Sequence, residues 1–179
     1  MTVSANIANA ITLAGLAAIA YMLSRKQWSS DLADSVTQAS SYPNPGGATL
    51  GYRNNNPLNI EYRSGTVWQG EIRPSGHYRF AQFVSLPYGY RAGFVTIRTY
   101  NLKYGIDTVR GIISRWDSGN AANYINFVCQ KTGWSPNKQI SFSNRDEMVS
   151  LVSAMSWMEN GIKPDPSTVS AGYKLYENA

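Results

Sequence analysis

Three glutamates, Glu61, Glu71 and Glu159, are the side chains of this sequence best suited to acid–base chemistry. A carboxylic acid that protonates a leaving oxygen, assisted in many enzymes by a second carboxylate, is the chemistry of glycosidic bond cleavage. Glu159 is the strongest candidate, because it ends a predicted helix beside Trp157 and Met158, where the helix dipole and apolar neighbours disfavour negative charge. Glu61 and Glu71 are candidates for the second carboxylate. The alternative for all three is a solvent-exposed structural position.

Other common catalytic and metal-binding groups are scarce. The chain has one histidine, His77, and one cysteine, Cys129. A single histidine excludes multi-histidine zinc sites and argues against a Ser-His-Asp arrangement. A single cysteine excludes an internal disulfide framework and a cysteine metal cluster. We therefore predict no metal site and no cofactor, and we assign any acid–base chemistry to carboxylates or tyrosines.

A run of three asparagines before Pro57 predicts a rigid turn, because asparagine side chains bond to nearby backbone and proline disfavours helix before it. The carboxamides either hold this turn together or bind sugar hydroxyl and N-acetyl groups. Aromatic side chains near the predicted acids either stack on sugar rings or pack in the core. The candidate substrate-binding residues are Asn54, Asn55, Asn56, Asn59, Trp68 and Tyr124.

The surrounding pattern predicts an α+β fold that is mainly helical, with a small antiparallel β ribbon. Alternating and β-branched stretches predict the ribbon, and apolar residues at helical spacing between capping residues predict the helices. The predicted strands cover residues 60–62, 67–72 and 78–83, and the predicted helices cover 87–104, 109–116, 121–132 and 145–160.

The chain divides into four predicted regions. Residues 1–27 form an N-terminal apolar helix, 28–48 a linker, 49–163 the folded domain and 164–179 a C-terminal tail. Residues 7–23 lack charge and are just long enough to span a bilayer, with a helix buried in an assembly as the alternative. Arg25 and Lys26 follow directly, so the positive-inside rule places the domain on the cytoplasmic side of a host membrane.

The net charge of +5 favours anionic partners such as lipid headgroups or an acidic wall polymer. The basic residues are spread along the chain, with no run longer than Arg25-Lys26. This distribution argues against a dedicated nucleic-acid arm, and we predict no specific nucleic-acid partner.

The order of motifs resembles a family of phage virion structural proteins with an Arg-Asn-Asn-Asn-Pro-x-Asn-Ile signature, over about residues 51–161. The chain differs from the family pattern at Leu58, where glycine is usual, and in the segment after the Arg-Trp turn, which reads Asp117-Ser118-Gly119-Asn120. The matching segments are Arg53–Ile60, Trp68-Gln69-Gly70, Phe80–Phe83, Tyr90-Arg91-Ala92, Tyr104-Gly105 with Thr108, Arg115-Trp116, Tyr124-Ile125 and Glu159-Asn160-Gly161.

Several members of this family look like lysozyme-like proteins that degrade peptidoglycan, as muramidases or lytic transglycosylases. The resemblance implies a lysozyme-like domain that cleaves glycosidic bonds of host peptidoglycan during genome entry. It also implies location in the virion and contact with capsid, vertex or tail proteins. The positive charges at Arg25 and Lys26 independently imply assembly from the host cytoplasmic side. The apolar segment 7–23 would anchor it in an internal viral or host membrane. The alternative is a non-catalytic structural or ejection protein that retains the lysozyme-like scaffold.

Overall fold

The computed structural model describes residues 49–76 and 79–178. The predicted N-terminal helix at 1–27 and linker at 28–48 lie outside the described residues. Within the described ranges, no helix combines the length and the apolar composition needed to cross a membrane.

The described part of the chain is mainly helical, with one two-stranded antiparallel sheet, so the predicted α+β class is confirmed. The four central helices begin and end within one residue of their predicted bounds. The helices are α1 (Leu50–Arg53), α2 (Leu86–Tyr104), α3 (Val109–Trp116), α4 (Ala121–Thr132), α5 (Arg145–Asn160) and α6 (Pro166–Glu177), and the strands are β1 (Glu71–Ile72) and β2 (Gln82–Phe83).

The β ribbon is shorter than predicted. Only two residues of each strand pair, with Glu71 opposite Phe83, and Glu61 adds a single isolated bridge to Phe80. Between these pairs the backbone bonds to itself in turns, and Gly70 has a left-handed φ of 74°. The N–H and C=O groups used in those turns are not available for a longer ladder.

Of the four central helices, α3 and α5 begin at a side-chain cap, and α2, α4 and α5 end at a left-handed glycine. The Thr108 hydroxyl accepts the N–H of Gly111, and the Asn144 carboxamide caps α5 in the same way. At the other end, α2, α4 and α5 stop at left-handed glycines, including Gly161 after Glu159. These caps explain why the sequence predicts the central helices accurately.

The region treated above as a C-terminal tail instead contains helix α6, which packs along α2. The Asp165 side chain caps the helix, and hydrogen bonds from Ser167 and Thr168 hold the pKa of Asp165 below its ordinary value. Tyr173 is buried, with its ring centroid 5.2 Å from that of Phe94 in an edge-on contact. The buried face of α6 covers apolar residues of α2, and these residues would be exposed if 164–179 were a disordered tail.

The asparagine turn lies directly against a glycine face of α2. A Cβ atom at Gly89 would lie 2.1 Å from the Asn55 carbonyl oxygen and 2.7 Å from Pro57 Cδ. At Gly93, one turn further along, a Cβ would lie 2.0 Å from Leu58 Cδ1. The two glycines therefore let the turn approach the helix backbone, which any larger residue would prevent.

We predict that Gly89→Ala destabilises the protein by about 2 kcal/mol or more, despite the better helix propensity of alanine, because the new methyl group meets backbone atoms that cannot move aside. Urea unfolding followed by circular dichroism measures the change. The matched control is Gly65→Ala, where a Cβ meets no atom within 4 Å, and the expected change is within about 0.5 kcal/mol. Equal stability of the two variants would contradict the packing described here.

Candidate active site

Asn56 holds the asparagine turn together from the inside. Its side chain is fully buried, and its Nδ2 donates to the carbonyl oxygens of Ile60 at 2.9 Å and Ala81 at 2.8 Å. Its Oδ1 accepts the N–H of Ile60 at 2.8 Å. All hydrogen-bonding groups of this carboxamide bond to backbone, so Asn56 is a structural residue and not the substrate-binding residue that we predicted.

Asn54 and Asn55 also bond within the protein. The Asn54 Oδ1 accepts from Gln82 Nε2 at 3.0 Å, and Asn55 Nδ2 donates to the Phe83 carbonyl oxygen at 3.0 Å. Neither residue lines the cavity described below. The two carboxamides thus attach the turn to β2, and their predicted role in substrate binding is not supported.

Asn59 is the asparagine that reaches the candidate catalytic group. Its backbone is left-handed, with φ of 50°, and its N–H bonds to the Asn56 carbonyl oxygen at 3.0 Å. Asparagine tolerates this conformation better than most residues. The turn therefore directs the Asn59 Nδ2 to the Glu159 Oε2, at 2.9 Å.

Asn160 fastens the turn to the C-terminal end of α5, one residue after Glu159. Its Nδ2 donates to the Pro57 carbonyl oxygen at 2.7 Å and to the Ser156 carbonyl oxygen at 2.9 Å. Its Oδ1 accepts from the Thr49 hydroxyl at 2.7 Å, so it also holds the start of α1. This buried carboxamide fixes the position of the turn relative to Glu159.

Glu159 accepts three hydrogen bonds from three separate segments of the chain. Its Oε1 receives the Trp116 indole Nε1–H and the Tyr124 hydroxyl, both at 3.0 Å, and its Oε2 receives the Asn59 amide. No lysine or arginine of the described chain forms an ion pair with it. The half-buried carboxyl group is therefore fixed in place by neutral donors alone.

The Tyr124 hydroxyl has one hydrogen and two acceptors. It lies 3.0 Å from Glu159 Oε1 and 3.1 Å from the Met155 carbonyl oxygen. Burial, together with the Glu159 charge, raises the pKa of Tyr124 far above its ordinary value, so the phenol stays protonated. When the hydroxyl donates to Met155, its oxygen can accept a proton from Glu159 in the neutral form. A rotation of one hydroxyl therefore accommodates both protonation states of Glu159.

Glu159 lies in the wall of a cavity of about 850 Å³. This volume is within the range of pockets that hold small ligands or several sugar rings. Trp68 lines the cavity, so its role in substrate binding stays a prediction. Tyr124 is only 2% exposed and contacts Glu159, so its predicted role as a stacking surface for a sugar ring is not supported. The aromatic residues in the lining are Trp68, Phe80, Tyr100, Tyr104 and Trp116.

The two predicted partner carboxylates lie in different environments. The Glu71 side chain is fully buried, paired with Arg73 at 3.0 Å and bonded to the Trp68 N–H at 2.9 Å, and it does not line the cavity. Its position fits a structural ion pair in the ribbon. Glu61 does line the cavity, half exposed, with Arg63 at 3.7 Å and Arg79 at 3.5 Å.

The structure adds several residues that the sequence analysis did not assign to the site. Trp116 was noted only as part of a motif, and its indole N–H proves to be a direct partner of Glu159. Asp117 also lines the cavity, although its Oδ1 accepts the N–H groups of Gly119 and Asn120 in a turn. The position of Trp116 at the end of an amphipathic helix was the available signal.

Metal binding has no support in the described residues. They contain no group of three or more histidine, cysteine, aspartate or glutamate side chains that could hold a metal ion.

The chain thus forms a mainly helical α+β domain with a cavity lined partly by aromatic residues. In the wall of this cavity, three neutral donors hold the carboxyl group of Glu159. No family model matches the sequence. The chain is 42% identical over 122 residues to Protein P5 of Pseudoalteromonas phage PM2, which covers 65% of this chain and 74% of that protein. The chain therefore belongs to the family of this bacteriophage protein.

We predict that Asn56→Ala destabilises the protein by about 3 kcal/mol or more, because it leaves buried backbone groups without partners. Thermal and urea unfolding measure the loss. Asn123→Ala is the matched control, since its carboxamide makes one exposed bond to Asn120, and we expect a change within about 0.5 kcal/mol. A small effect of Asn56→Ala would show that the turn does not depend on this residue.

Proposed function

We propose that this protein is a virion-associated bacteriophage protein that cleaves glycosidic bonds of host peptidoglycan, with Glu159 as the acid–base group. The observation that carries the proposal is the placement of Glu159, in the wall of a ligand-sized cavity and bonded only to neutral donors. The relationship to a bacteriophage protein supports the association with a virion. The motif resemblance to lysozyme-like virion proteins supports the cleavage of peptidoglycan.

The proposed reaction starts from the neutral form of Glu159. The carboxylic acid gives its proton to the glycosidic oxygen as the bond from that oxygen to the anomeric carbon breaks, and positive charge develops on the sugar. The carboxylate that remains accepts the three donors from Asn59, Trp116 and Tyr124. These fixed donors stabilise the negative charge as it forms.

The second half of the reaction returns the proton to Glu159. The carboxylate removes a proton from water, whose oxygen bonds to the anomeric carbon, or from a hydroxyl of the same sugar, which closes an anhydro ring. The cavity contains two further carboxylates, Glu61 and Asp117. Glu61 is the better candidate to stabilise the positive sugar, since Asp117 already caps a turn. Glu71 is no longer proposed, because it is buried outside the cavity.

The proposed setting in the virion brings the catalytic domain to the wall from outside. Peptidoglycan lies outside the cytoplasmic membrane, whereas Arg25 and Lys26 predict that the domain stays on the cytoplasmic side of that membrane. A virus particle that delivers the domain from outside the cell would bring it to the peptidoglycan. We propose other virion proteins and, through residues 7–23, a viral or host membrane as its partners. The competing function is a non-catalytic structural or ejection protein that keeps this fold.

We predict that the full-length protein clears peptidoglycan in a zymogram and that Glu159→Gln reduces the rate by about 10²–10⁴-fold, because the amide cannot transfer a proton. Glu177→Gln, near the end of α6 and outside the cavity lining, is the matched control and should keep full activity. Glu61→Gln tests the second carboxylate. Clearing that persists in Glu159→Gln overturns the assignment, and no clearing by the unmodified protein favours the non-catalytic function.

We also predict that Tyr124→Phe lowers the cleavage rate about tenfold or more, because it removes one donor to the carboxylate that forms in the reaction. Tyr90→Phe is the matched control, since it removes a buried hydrogen bond to Ser156 outside the cavity lining. Both variants should lose similar stability in thermal unfolding. Equal losses of activity would indicate a general effect of stability and not a role of Tyr124 at Glu159.

A further inference from the structure

One part of the cavity combines aromatic rings with positive charge. The last turns of α2 supply Tyr100, Lys103 and Tyr104, and α3 supplies Arg115. The Arg115 Cζ lies 3.7 Å from the ring centroid of Tyr104 and 5.0 Å from that of Tyr100. We refer to these four residues as the α2–α3 wall. Its rings orient Arg115, since a guanidinium that contacts aromatic faces has a restricted set of positions.

The two cations of the α2–α3 wall have no acidic partner among the described residues. Glu61 is shared by Arg63 and Arg79, Asp117 accepts backbone N–H groups, and Glu159 accepts neutral donors. In the described part of the chain, neither Lys103 nor Arg115 forms an ion pair or a side-chain hydrogen bond. Two positive charges in the cavity are thus not balanced within the protein.

We infer that the α2–α3 wall binds a carboxylate of the substrate, so that the cavity selects acidic peptidoglycan over neutral polymers of N-acetylglucosamine; this inference rests on the proposed function. An arginine and a lysine that line the same cavity match a carboxylate, and the tyrosines of the wall offer surfaces for a sugar ring. Peptidoglycan carries free carboxylates on its peptide stems, and on the lactyl group of its muramic acid where a stem has been removed, whereas chitin carries none.

Positive charge extends beyond the α2–α3 wall. Arg63, which lies in the loop before β1, also lines the cavity. Burial raises the pKa of Tyr100, and both Arg115 and Arg63 are near enough to oppose that rise. The two arginines thus approach one tyrosine from different segments of the chain. A substrate carboxylate near Tyr100 would lie in the positive potential of both arginines.

Binding without cleavage tests the inference directly. Full-length Glu159→Gln protein is incubated with three insoluble polymers, and the bound fraction gives an affinity for each. The polymers are intact sacculi, sacculi whose carboxylates have been converted to amides, and chitin. We expect intact sacculi to bind at least tenfold more tightly than amidated sacculi or chitin. Soluble glycan strands, released from sacculi by an amidase and added as competitors, show whether the lactyl carboxylate freed by that cut is also recognised.

The α2–α3 wall is then removed in the same background. Glu159→Gln with Lys103→Met and Arg115→Gln should lose about tenfold affinity for intact sacculi and none for amidated sacculi or chitin. The matched control replaces Arg145 by Gln and Lys174 by Met, which removes the same charge outside the cavity lining. Thermal unfolding verifies that both variants fold.

Three results separate this inference from the proposed function. Equal binding to intact and amidated sacculi overturns the inference, as does a loss in the α2–α3 wall variant no larger than that in the control. Cleavage by the unmodified protein together with equal binding leaves the proposed function in place and removes only the selectivity. Selective binding by a protein that cleaves nothing supports carboxylate recognition at the α2–α3 wall and removes the catalytic proposal.

Discussion

The attachment of the asparagine turn to the end of α5 is the interaction on which the candidate site depends. Asn160 bonds to the Pro57 carbonyl oxygen and to Thr49, while the adjacent Glu159 receives the Asn59 amide. Asn160, which attaches the turn, directly follows Glu159 in sequence. Any shift of the turn would therefore move the Asn59 donor relative to Glu159. The close approach at Gly89 restricts the same turn from its other side. The geometry at Glu159 is therefore set by side-chain hydrogen bonds together with the close packing of the turn on α2.

Local patterns predicted the four central helices and directed attention to Glu159, since caps and helical periodicity act over a few residues. Two features depended on distant contacts and could not be predicted this way. The Trp116 indole meets Glu159 across 43 residues, and the inward direction of Asn56 depends on Ala81, 25 residues away. Helix α6 was missed although Asp165 and Pro166 form a recognisable helix start, because residues 164–179 were interpreted from their terminal position.

The hydrogen-bond partners of Glu159 are all uncharged. The cavity contains four basic side chains, yet those with an acidic partner bond to Glu61 and not to Glu159. An arginine against Glu159 would stabilise only the ionised form. The amide and indole donate in either state, and the Tyr124 hydroxyl can donate to the carboxylate or accept from the acid. Glu159 is thus held in position by groups that carry no charge of their own.

Basic residues that are dispersed along the sequence lie close together in the folded structure. The net charge of +5 comes from basic residues spread along the chain, and no run of them indicated a binding surface. Folding brings Arg63, Arg79, Lys103 and Arg115 to one cavity from the segment before β1, the segment before β2, and helices α2 and α3. Two of them neutralise Glu61, and the other two remain available to an acidic ligand. A charge that is dispersed in sequence is thus concentrated where the candidate catalytic group lies, which favours an anionic substrate over a general attraction to anionic surfaces.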